Sequence, residues 1–127
     1  MLRIKLRHLN EENMRRTAVA QAYDENITNP LVKKPDIFDG MTQIWHQYVI
    51  RVENRDAMRA YLEENGVMTD IHYATPPHHQ PCYRSFQSHV LPVTSDIADH
   101  AISLPIGLPI TPDDAQQIAK IINDFNG

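Results

Sequence analysis

Cysteine is nearly absent from this sequence, since Cys82 is the only one among 127 residues. A single cysteine excludes an internal disulfide framework and fits a reducing compartment, so we expect a cytoplasmic protein. No apolar run approaches the roughly 20 residues of a membrane span, and the N-terminal residues 1–6 are too charged for a signal sequence. Twelve basic residues against sixteen acidic ones give a net charge of −4, which argues against broad nucleic-acid binding.

Glycine is also scarce, and its four copies leave little material for a phosphate-binding loop. Neither GxGxxG nor GxxxxGK[ST] occurs. The length suits one domain, because domains usually run to roughly 100–200 residues. A chain of this size buries about two-thirds of its unfolded surface, so it is long enough for a real core.

Hydrophobic periodicity predicts the order helix, strand, helix, strand, short helix, strand, helix. This order indicates an α+β layer, a small sheet with helices on one face. The predicted elements cover residues 9–27, 45–52, 55–65, 67–73, 95–101, 102–106 and the segment from 112 onward. Both faces of the strand 45–52 are partly apolar, which predicts a central strand. Thr111 as N-cap and Pro112 at the first helical position make the last helix the clearest element.

The side chains most suited to binding a ligand lie in the segment 69–83. A predicted strand ends in His72 and Tyr73 and runs into a proline-rich loop that contains His78. Imidazole and phenol both form hydrogen bonds to phosphate or hydroxyl oxygens, so the segment predicts recognition of an anionic ligand.

Two other interpretations of this segment stay open from the residues alone. One is an ordered surface loop with exposed histidines. The other is a metal site, although its spacing matches no zinc pattern; its ligands would come from His72, His78, His79, His46 and Cys82. Cys82 lies in no nucleophile motif, and a lone cysteine of this kind is more often a small buried hydrophobic residue.

Four stretches resemble, in order, motifs of one family: residues 2–23, 46–56, 71–83 and 104–111. The family is that of the DegT/DnrJ/StrS sugar aminotransferases. The resemblance rests on several motifs in the right order. One of them is the family signature IHYPxPxHxQPxY, which is similar to Ile71-His72-Tyr73, Pro77-His78, Gln80-Pro81 and Tyr83. Ala74 departs from it, because a proline often follows the His-Tyr pair.

The resemblance implies a dimeric enzyme of pyridoxal-phosphate fold type I, which moves an amino group from glutamate to a nucleotide-linked keto sugar. It implies a role in surface-polysaccharide or antibiotic-sugar pathways. It covers only the C-terminal small domain, with a mostly antiparallel sheet, and divides the chain into an inter-domain helix (1–28) and a small domain (29–127). His72 and Tyr73 would face the sugar nucleotide, and His78 would shape that pocket.

The same resemblance places a large domain before Met1, and that domain would carry the cofactor lysine. None of the lysines here stands in the family's lysine motif, so we expect no cofactor-binding, catalytic or metal-ligating residue in this chain. We predict that the chain is inactive alone, and that it forms a homo-oligomer or pairs with a large-domain chain. A free-standing module that binds sugar nucleotides or a partner is the alternative, and a non-functional gene remnant is the third possibility.

Overall fold

Residues 2–127, which the computed structural model describes, form five α-helices and two β-strands. Two 3₁₀ helices, Pro77–His79 and Pro81–Phe86, lie between the third and fourth α-helices. In chain order the main elements are α1 (Leu2–Lys5), α2 (Leu9–Asn26), β1 (Tyr48–Arg51), α3 (Arg55–Glu64), α4 (Pro92–His100), β2 (Ala101–Leu104) and α5 (Pro112–Asp124).

The two strands pair antiparallel, with Tyr48 opposite Leu104 and Arg51 opposite Ala101. Single residues extend this ribbon on both sides. Lys33 pairs with Arg51 through two backbone hydrogen bonds of 2.9 Å. Asp70 pairs with Ser103 through bonds of 2.8 and 3.2 Å. The structure thus confirms the predicted α+β class with a small antiparallel sheet.

The core lies between this ribbon and helices α2, α3 and α5. Its fully buried members come from all of these elements: Val19, Tyr23, Tyr48, Ile50, Met58, Leu62, Ile102 and Ile122. Two of its tyrosines carry their hydroxyls to specific partners. Tyr23 donates to the carbonyl of Pro105 at 2.7 Å, and Tyr48 donates to Oδ1 of Asp24 at 2.5 Å. Burial, and then the bond to Asp24, raises the pKa of Tyr48 far above its ordinary value.

Helix α5 forms as its sequence predicts. Thr111 Oγ1 accepts a hydrogen bond from the Asp114 amide at 3.2 Å, and Asp114 Oδ2 accepts one from the Thr111 amide at 2.9 Å. This reciprocal capping box satisfies two amides that the first turn leaves unpaired. The Thr111 hydroxyl also donates to Asp114 Oδ2, at 2.7 Å. This bond, and then the bond from the Thr111 amide, lower the pKa of Asp114. Ile118, Ile122 and Phe125 then bury one stripe of the helix.

Helix α3 also matches its prediction, because Gly66 ends it with a φ of +79°. The Gly66 amide donates to the carbonyl of Glu63 at 2.9 Å. Asn54 is its N-cap residue, but its side chain makes no capping hydrogen bond.

The prediction of a strand over residues 67–73 is wrong. Among these residues only Asp70 pairs with the sheet, and Met68 is 84% exposed. The apolar character of Val67 is used instead for packing after α3, where its amide donates to the carbonyl of Leu62 at 2.8 Å. Alternation alone therefore misassigned a segment whose residues find no continuous partner strand.

The strands are shorter than predicted, for a reason that lies in α2. The Arg16 guanidinium donates to the carbonyls of Trp45, His46 and Ile106 at 3.2 to 3.3 Å. These carbonyls are thereby occupied outside a strand ladder, so β1 begins only at Tyr48. β2 ends before Pro105, which has no amide to donate.

Helix α4 begins earlier than predicted, because Pro92 occupies its first position.

The division of the chain into residues 1–28 and 29–127 stays a prediction. Helix α2 packs against α5, and its buried residues Val19, Ala20 and Tyr23 belong to the common core. Within residues 2–127, no helix has both the length and the apolar character that a bilayer crossing requires.

Candidate functional site

The three predicted site residues lie on one segment, residues 71–91, which leaves the sheet edge after Asp70 and ends where α4 begins. Turns and the two 3₁₀ helices shape this segment. Pro77 and Pro81 each start a 3₁₀ helix, because a fixed φ suits the first position of such a turn. The His72–Tyr73 peptide bond is cis.

His72 is held against the sheet by a residue of β2. Its Nδ1 lies 2.9 Å from Oγ of Ser103, and its Nε2 lies 3.4 Å from Oδ2 of Asp70. A carboxylate beside Nε2 favours the tautomer with its proton there, so that the Ser103 hydroxyl donates to Nδ1. The side chain keeps 34% of its surface exposed. The ring is thus oriented and still accessible to a ligand.

The His72 cavity, which we define by His46, Gln47, Asp70, His72 and Ser103, has a volume of about 490 Å³. Its floor is the end of β2 and the residues that follow, Leu104, Pro105 and Ile106. Hydroxyl, amide, imidazole and carboxylate groups therefore surround one shallow depression. Such a surface binds the polar groups of a ligand by hydrogen bonds.

Tyr73 projects from this edge with 80% of its surface exposed. Its ring centroid lies 6.4 Å from that of His72, in an edge-to-face arrangement. These two predicted residues therefore lie side by side, although Tyr73 does not line the His72 cavity.

His78 lies elsewhere and is buried, with 6% of its surface exposed. Neither ring nitrogen has a hydrogen-bond partner among the described residues. The ring packs against that of His79, with 4.0 Å between the centroids and the two planes tilted by 51°. Burial, followed by the neighbouring His79 and His89, lowers the pKa of His78. His78 is therefore a neutral imidazole at pH 7.

His78 opens into a second depression, the His78 cavity, of about 380 Å³. Its other walls are mostly aromatic and aliphatic: Pro77, Tyr83, Phe86, His89 and Leu91. His72 does not line this cavity, and His78 does not line the His72 cavity. His72 and His78 thus line two separate depressions.

The metal interpretation required His72, His78 and His79 to converge with His46 or Cys82. Residues 2–127 contain no group of three or more His, Cys, Asp and Glu side chains that could hold a metal ion. Cys82 was expected to be buried, and this is wrong. It is exposed on the second 3₁₀ helix, with its Sγ 3.9 Å from Oε1 of Gln80.

The sequence analysis missed Ser103 and Asp70 as partners of His72. A signal existed for Ser103, which is the one polar residue of the strand Ala101–Leu104 and is buried with the rest of it. A buried hydroxyl needs a partner, and this predicts a polar side chain nearby. Asp70 gave no such signal, because its role depends on the single bridge that places it beside β2.

A further cavity, of about 640 Å³, lies at the end of β1, beside Lys33 and Arg51. Three of its titratable groups are paired with one another. Asp96 contacts Arg51 at 3.2 Å through one oxygen and His100 at 3.0 Å through the other. This pairing joins α4 to β1.

Comparison with known proteins shows that the chain is similar to members of one aminotransferase family. The model of the DegT/DnrJ/EryC1/StrS aminotransferase family matches residues 1–123. The dTDP-3-amino-3,6-dideoxy-alpha-D-galactopyranose transaminase of Aneurinibacillus thermoaerophilus is 34% identical over 125 residues, 98% of this chain and 34% of the relative. The dTDP-3-amino-3,4,6-trideoxy-alpha-D-glucose transaminase of Streptomyces venezuelae is 30% identical over 128 residues, with the same two shares.

The fold is similar to that of a solved structure. The Streptomyces venezuelae DesV structure in complex with a ketimine intermediate has a TM-score of 0.91 and 31% identity, and covers 97% of this chain. This chain covers 34% of that one. It therefore spans about a third of the length of the relatives that it matches.

Proposed function

The chain belongs to the DegT/DnrJ/EryC1/StrS aminotransferase family, and from this premise we propose that it is the C-terminal part of a pyridoxal-phosphate-dependent aminotransferase. Its substrate would be a keto sugar linked to a nucleotide, in the synthesis of deoxyamino sugars or surface polysaccharide. The names of the two relatives above contain dTDP-linked sugars, so a dTDP-sugar is the first probe.

The observation that carries this proposal is the orientation of His72. Ser103 fixes its Nδ1 at 2.9 Å, and its Nε2 lies 3.4 Å from Oδ2 of Asp70. In our proposal a ligand oxygen takes the place of this carboxylate and accepts the Nε2 proton. Tyr73, exposed beside it, adds a phenol donor. In our proposal these two groups bind the oxygen-rich part of the sugar nucleotide, and the His72 cavity accommodates it.

The residues of this chain do not fit pyridoxal phosphate. A lysine that forms a Schiff base needs a partly desolvated pocket with partners for the ring and the phosphate. Lys5, Lys33 and Lys120 are exposed. Lys34 donates to the carbonyls of Asp24 and Ile27 at 2.7 and 3.1 Å, which fixes it at the end of α2. The cofactor lysine must therefore come from outside these residues.

We propose that a lysine-bearing large domain supplies that residue, within a longer polypeptide or as a separate chain, in the cytoplasm. The first helices offer an apolar surface for such a partner or for a second copy. Leu2, Ile4 and Leu6 are each more than 60% exposed, and Leu9 is 44% exposed. Exposed apolar groups of this extent favour association.

A second candidate is a free-standing module that binds sugar nucleotides without catalysis. It is favoured by the fact that Ser103, Asp70 and His72 form their contacts entirely within this chain. The size of the native polypeptide decides between the two candidates. An immunoblot at 14.6 kDa would match the chain alone, whereas a much longer polypeptide would match the first proposal.

Titration of the 127-residue chain with a dTDP-sugar tests the site in both candidates. We expect His72→Ala to weaken binding about tenfold, as for the loss of one hydrogen bond to a charged group. His8→Ala, at an exposed histidine between α1 and α2, is the control and should bind like the unmodified chain. An unchanged affinity for His72→Ala would refute the site.

Activity is the second measurement. The chain alone, given glutamate, the cofactor and a dTDP-linked keto sugar, should form no amino sugar. Turnover by the purified chain would contradict the requirement for a separate lysine domain.

A further inference from the structure

The His72 cavity has two walls that are held in different ways. One wall contains Asp70 and His72, and Asp70 is joined to Ser103 of β2 by two backbone hydrogen bonds. The other wall contains His46 and Gln47, which come before the first paired residue of β1. Because the strand ladder does not hold this second wall, another contact has to keep it in place if the cavity is to have a fixed shape.

Arg16 of helix α2 makes that contact. Its Nη1 donates to the carbonyl oxygens of Trp45 and Ile106 at 3.2 Å and to that of His46 at 3.3 Å. Trp45 and His46 lead into β1, whereas Ile106 follows β2 and belongs to the floor of the cavity. The guanidinium therefore joins one wall of the cavity to its floor. Arg16 does not itself line the cavity, so it acts through these backbone groups.

The positive charge of Arg16 suits the position that its Nη1 occupies. Three carbonyl oxygens converge on this one nitrogen, and their partial negative charges repel one another unless a cation lies among them. Hydrogen bonds from a charged donor are also stronger than those from a neutral one. Without the guanidinium, the backbone at residues 45–47 loses its attachment to Ile106.

Helix α2 provides a rigid base for this contact. Val19 and Ala20, three and four residues after Arg16, are buried in the core, so Arg16 lies on the same face of the helix. Farther along α2, the Tyr23 hydroxyl donates to the carbonyl of Pro105 at 2.7 Å. Pro105 is also part of the cavity floor. The helix thus supports two successive residues of that floor from the side opposite to the ligand.

We propose that Arg16 is a positioning residue of the His72 cavity, which fixes the wall at His46 and Gln47 against the floor at Ile106. This inference rests on the proposed function, because it concerns the cavity that binds the sugar nucleotide there. A wall that is already in place binds a ligand more tightly, since the ligand does not have to order it.

The test measures the affinity of the 127-residue chain for dTDP-glucose. Arg16→Met removes the charge and the donors but keeps a long apolar side chain. It should weaken binding about fivefold, as for a residue that acts without touching the ligand. Arg15→Met is the matched control, because Arg15 is exposed and contacts Glu11 on the same helix at 2.6 Å. It removes the same charge and should bind as the wild type does.

A lysine at the same position separates hydrogen bonding from simple packing. All three contacts of Arg16 come from one nitrogen, and a lysine ammonium also presents several N–H groups on one nitrogen. Arg16→Lys should therefore bind dTDP-glucose within about twofold of the wild type. Urea denaturation of each variant shows that it is folded under the conditions of the titration.

A second readout needs no ligand. The three carbonyls belong to the peptide groups whose nitrogens are those of His46, Gln47 and Gly107. Loss of the hydrogen bonds changes the electron distribution in these peptide groups. The ¹⁵N resonances of the three amides should therefore shift in Arg16→Met and stay unchanged in Arg15→Met.

Three results would overturn the inference: wild-type affinity in Arg16→Met, equal weakening by Arg16→Met and Arg16→Lys, or unshifted amide signals. These results are distinguishable from a failure of the proposed function. If His72→Ala weakens the binding of dTDP-glucose and Arg16→Met does not, the inference alone fails. If the wild type does not bind dTDP-glucose, the proposed function fails. The amide signals then decide about Arg16, because shifted signals support its hold on the wall and unshifted ones refute it.

Discussion

Helix α5 and the segment 71–91 bury side chains of opposite character. In α5 the buried residues are Ala115, Ile118, Ala119 and Ile122, all apolar and spaced along one stripe. In the segment 71–91, every residue of which the structure describes, His78 alone is buried. The helix thus uses burial to gain stability, whereas the segment buries an imidazole that has no hydrogen-bond partner within residues 2–127. Stability and ligand recognition are assigned to different parts of one small chain.

The largest expected difference is in the free energy of unfolding, when a leucine of the core that contains α5 and a leucine of the segment 71–91 are each replaced by alanine. Leu62 is fully buried in α3, within the same core as α5, and Leu91 is 42% exposed at the end of the segment. Leu62→Ala should lower the free energy of unfolding by about 2 to 5 kcal/mol, because it removes core contacts and leaves a cavity. Leu91→Ala should cost no more than about 1 kcal/mol. Urea denaturation measures both, and equal losses would break the comparison.

The next largest loss of stability is expected at Asn29, a buried polar residue whose hydrogen bonds are satisfied. Asn29 is buried and donates to the carbonyls of Ile122 and Phe125 at 2.7 and 2.8 Å, at the end of α5. Asn29→Ala should cost about 1 to 3 kcal/mol, because it leaves these carbonyls unsatisfied. Asn126→Ala removes an exposed amide that donates only to the Asp124 carbonyl, and it should change the same denaturation midpoint little.

The contrast between Asn29 and His78 sharpens the argument about the segment. Both are polar and buried, but only Asn29 is fully paired. If His78 is a ligand contact, its replacement should affect binding more than stability, whereas Asn29→Ala should do the reverse. A loss of stability on His78→Gln as large as that on Asn29→Ala would assign His78 to structure instead.

The difference between local and long-range contacts explains which parts of the fold could be predicted from the sequence. Helices α3 and α5 were predicted well because hydrophobic periodicity and the Thr111 cap act locally, within a few residues. The strand 67–73 was predicted wrongly because a strand needs a partner that distant residues provide. The limits of β1 depended on Arg16, which lies 29 residues before Trp45, and no local pattern shows such a contact.

The site was predicted in part for the same reason. The family signature marked His72, Tyr73 and His78, because it is a continuous stretch of sequence. It showed neither Ser103, which is 31 residues away from His72, nor the separation of the segment into two cavities. Both features arise when the segment folds back onto β2 and forms its 3₁₀ helices.

The cap of α5 offers a smaller and more local test of the stable region. Thr111→Ala removes the hydroxyl that accepts from the Asp114 amide at 3.2 Å. It should cost about 1 kcal/mol, the usual value for such a cap. Thr75→Ala, at an exposed threonine of the segment, is the control and should be close to neutral. Thermal unfolding of the two variants compares them, and an equal loss would show that the segment stabilises the fold as much as the helix does.

The smallest predicted effect is a change in the pH dependence of the unfolding free energy, which comes from His78 in the segment 71–91. His78 has a pKa below its ordinary value of 6.5 in the folded chain, because burial and two neighbouring histidines disfavour its charge. The unfolded chain therefore binds more protons as the pH falls through 6.5, and the folded state loses stability there. Asp114 acts in a separate window, since its lowered pKa makes its contribution disappear only below 3.8. Unfolding free energies between pH 7.5 and 5 should thus fall more steeply for the wild type than for His78→Gln. Parallel curves would mean that His78 reaches solvent freely, and the segment would then differ from α5 only in its shape.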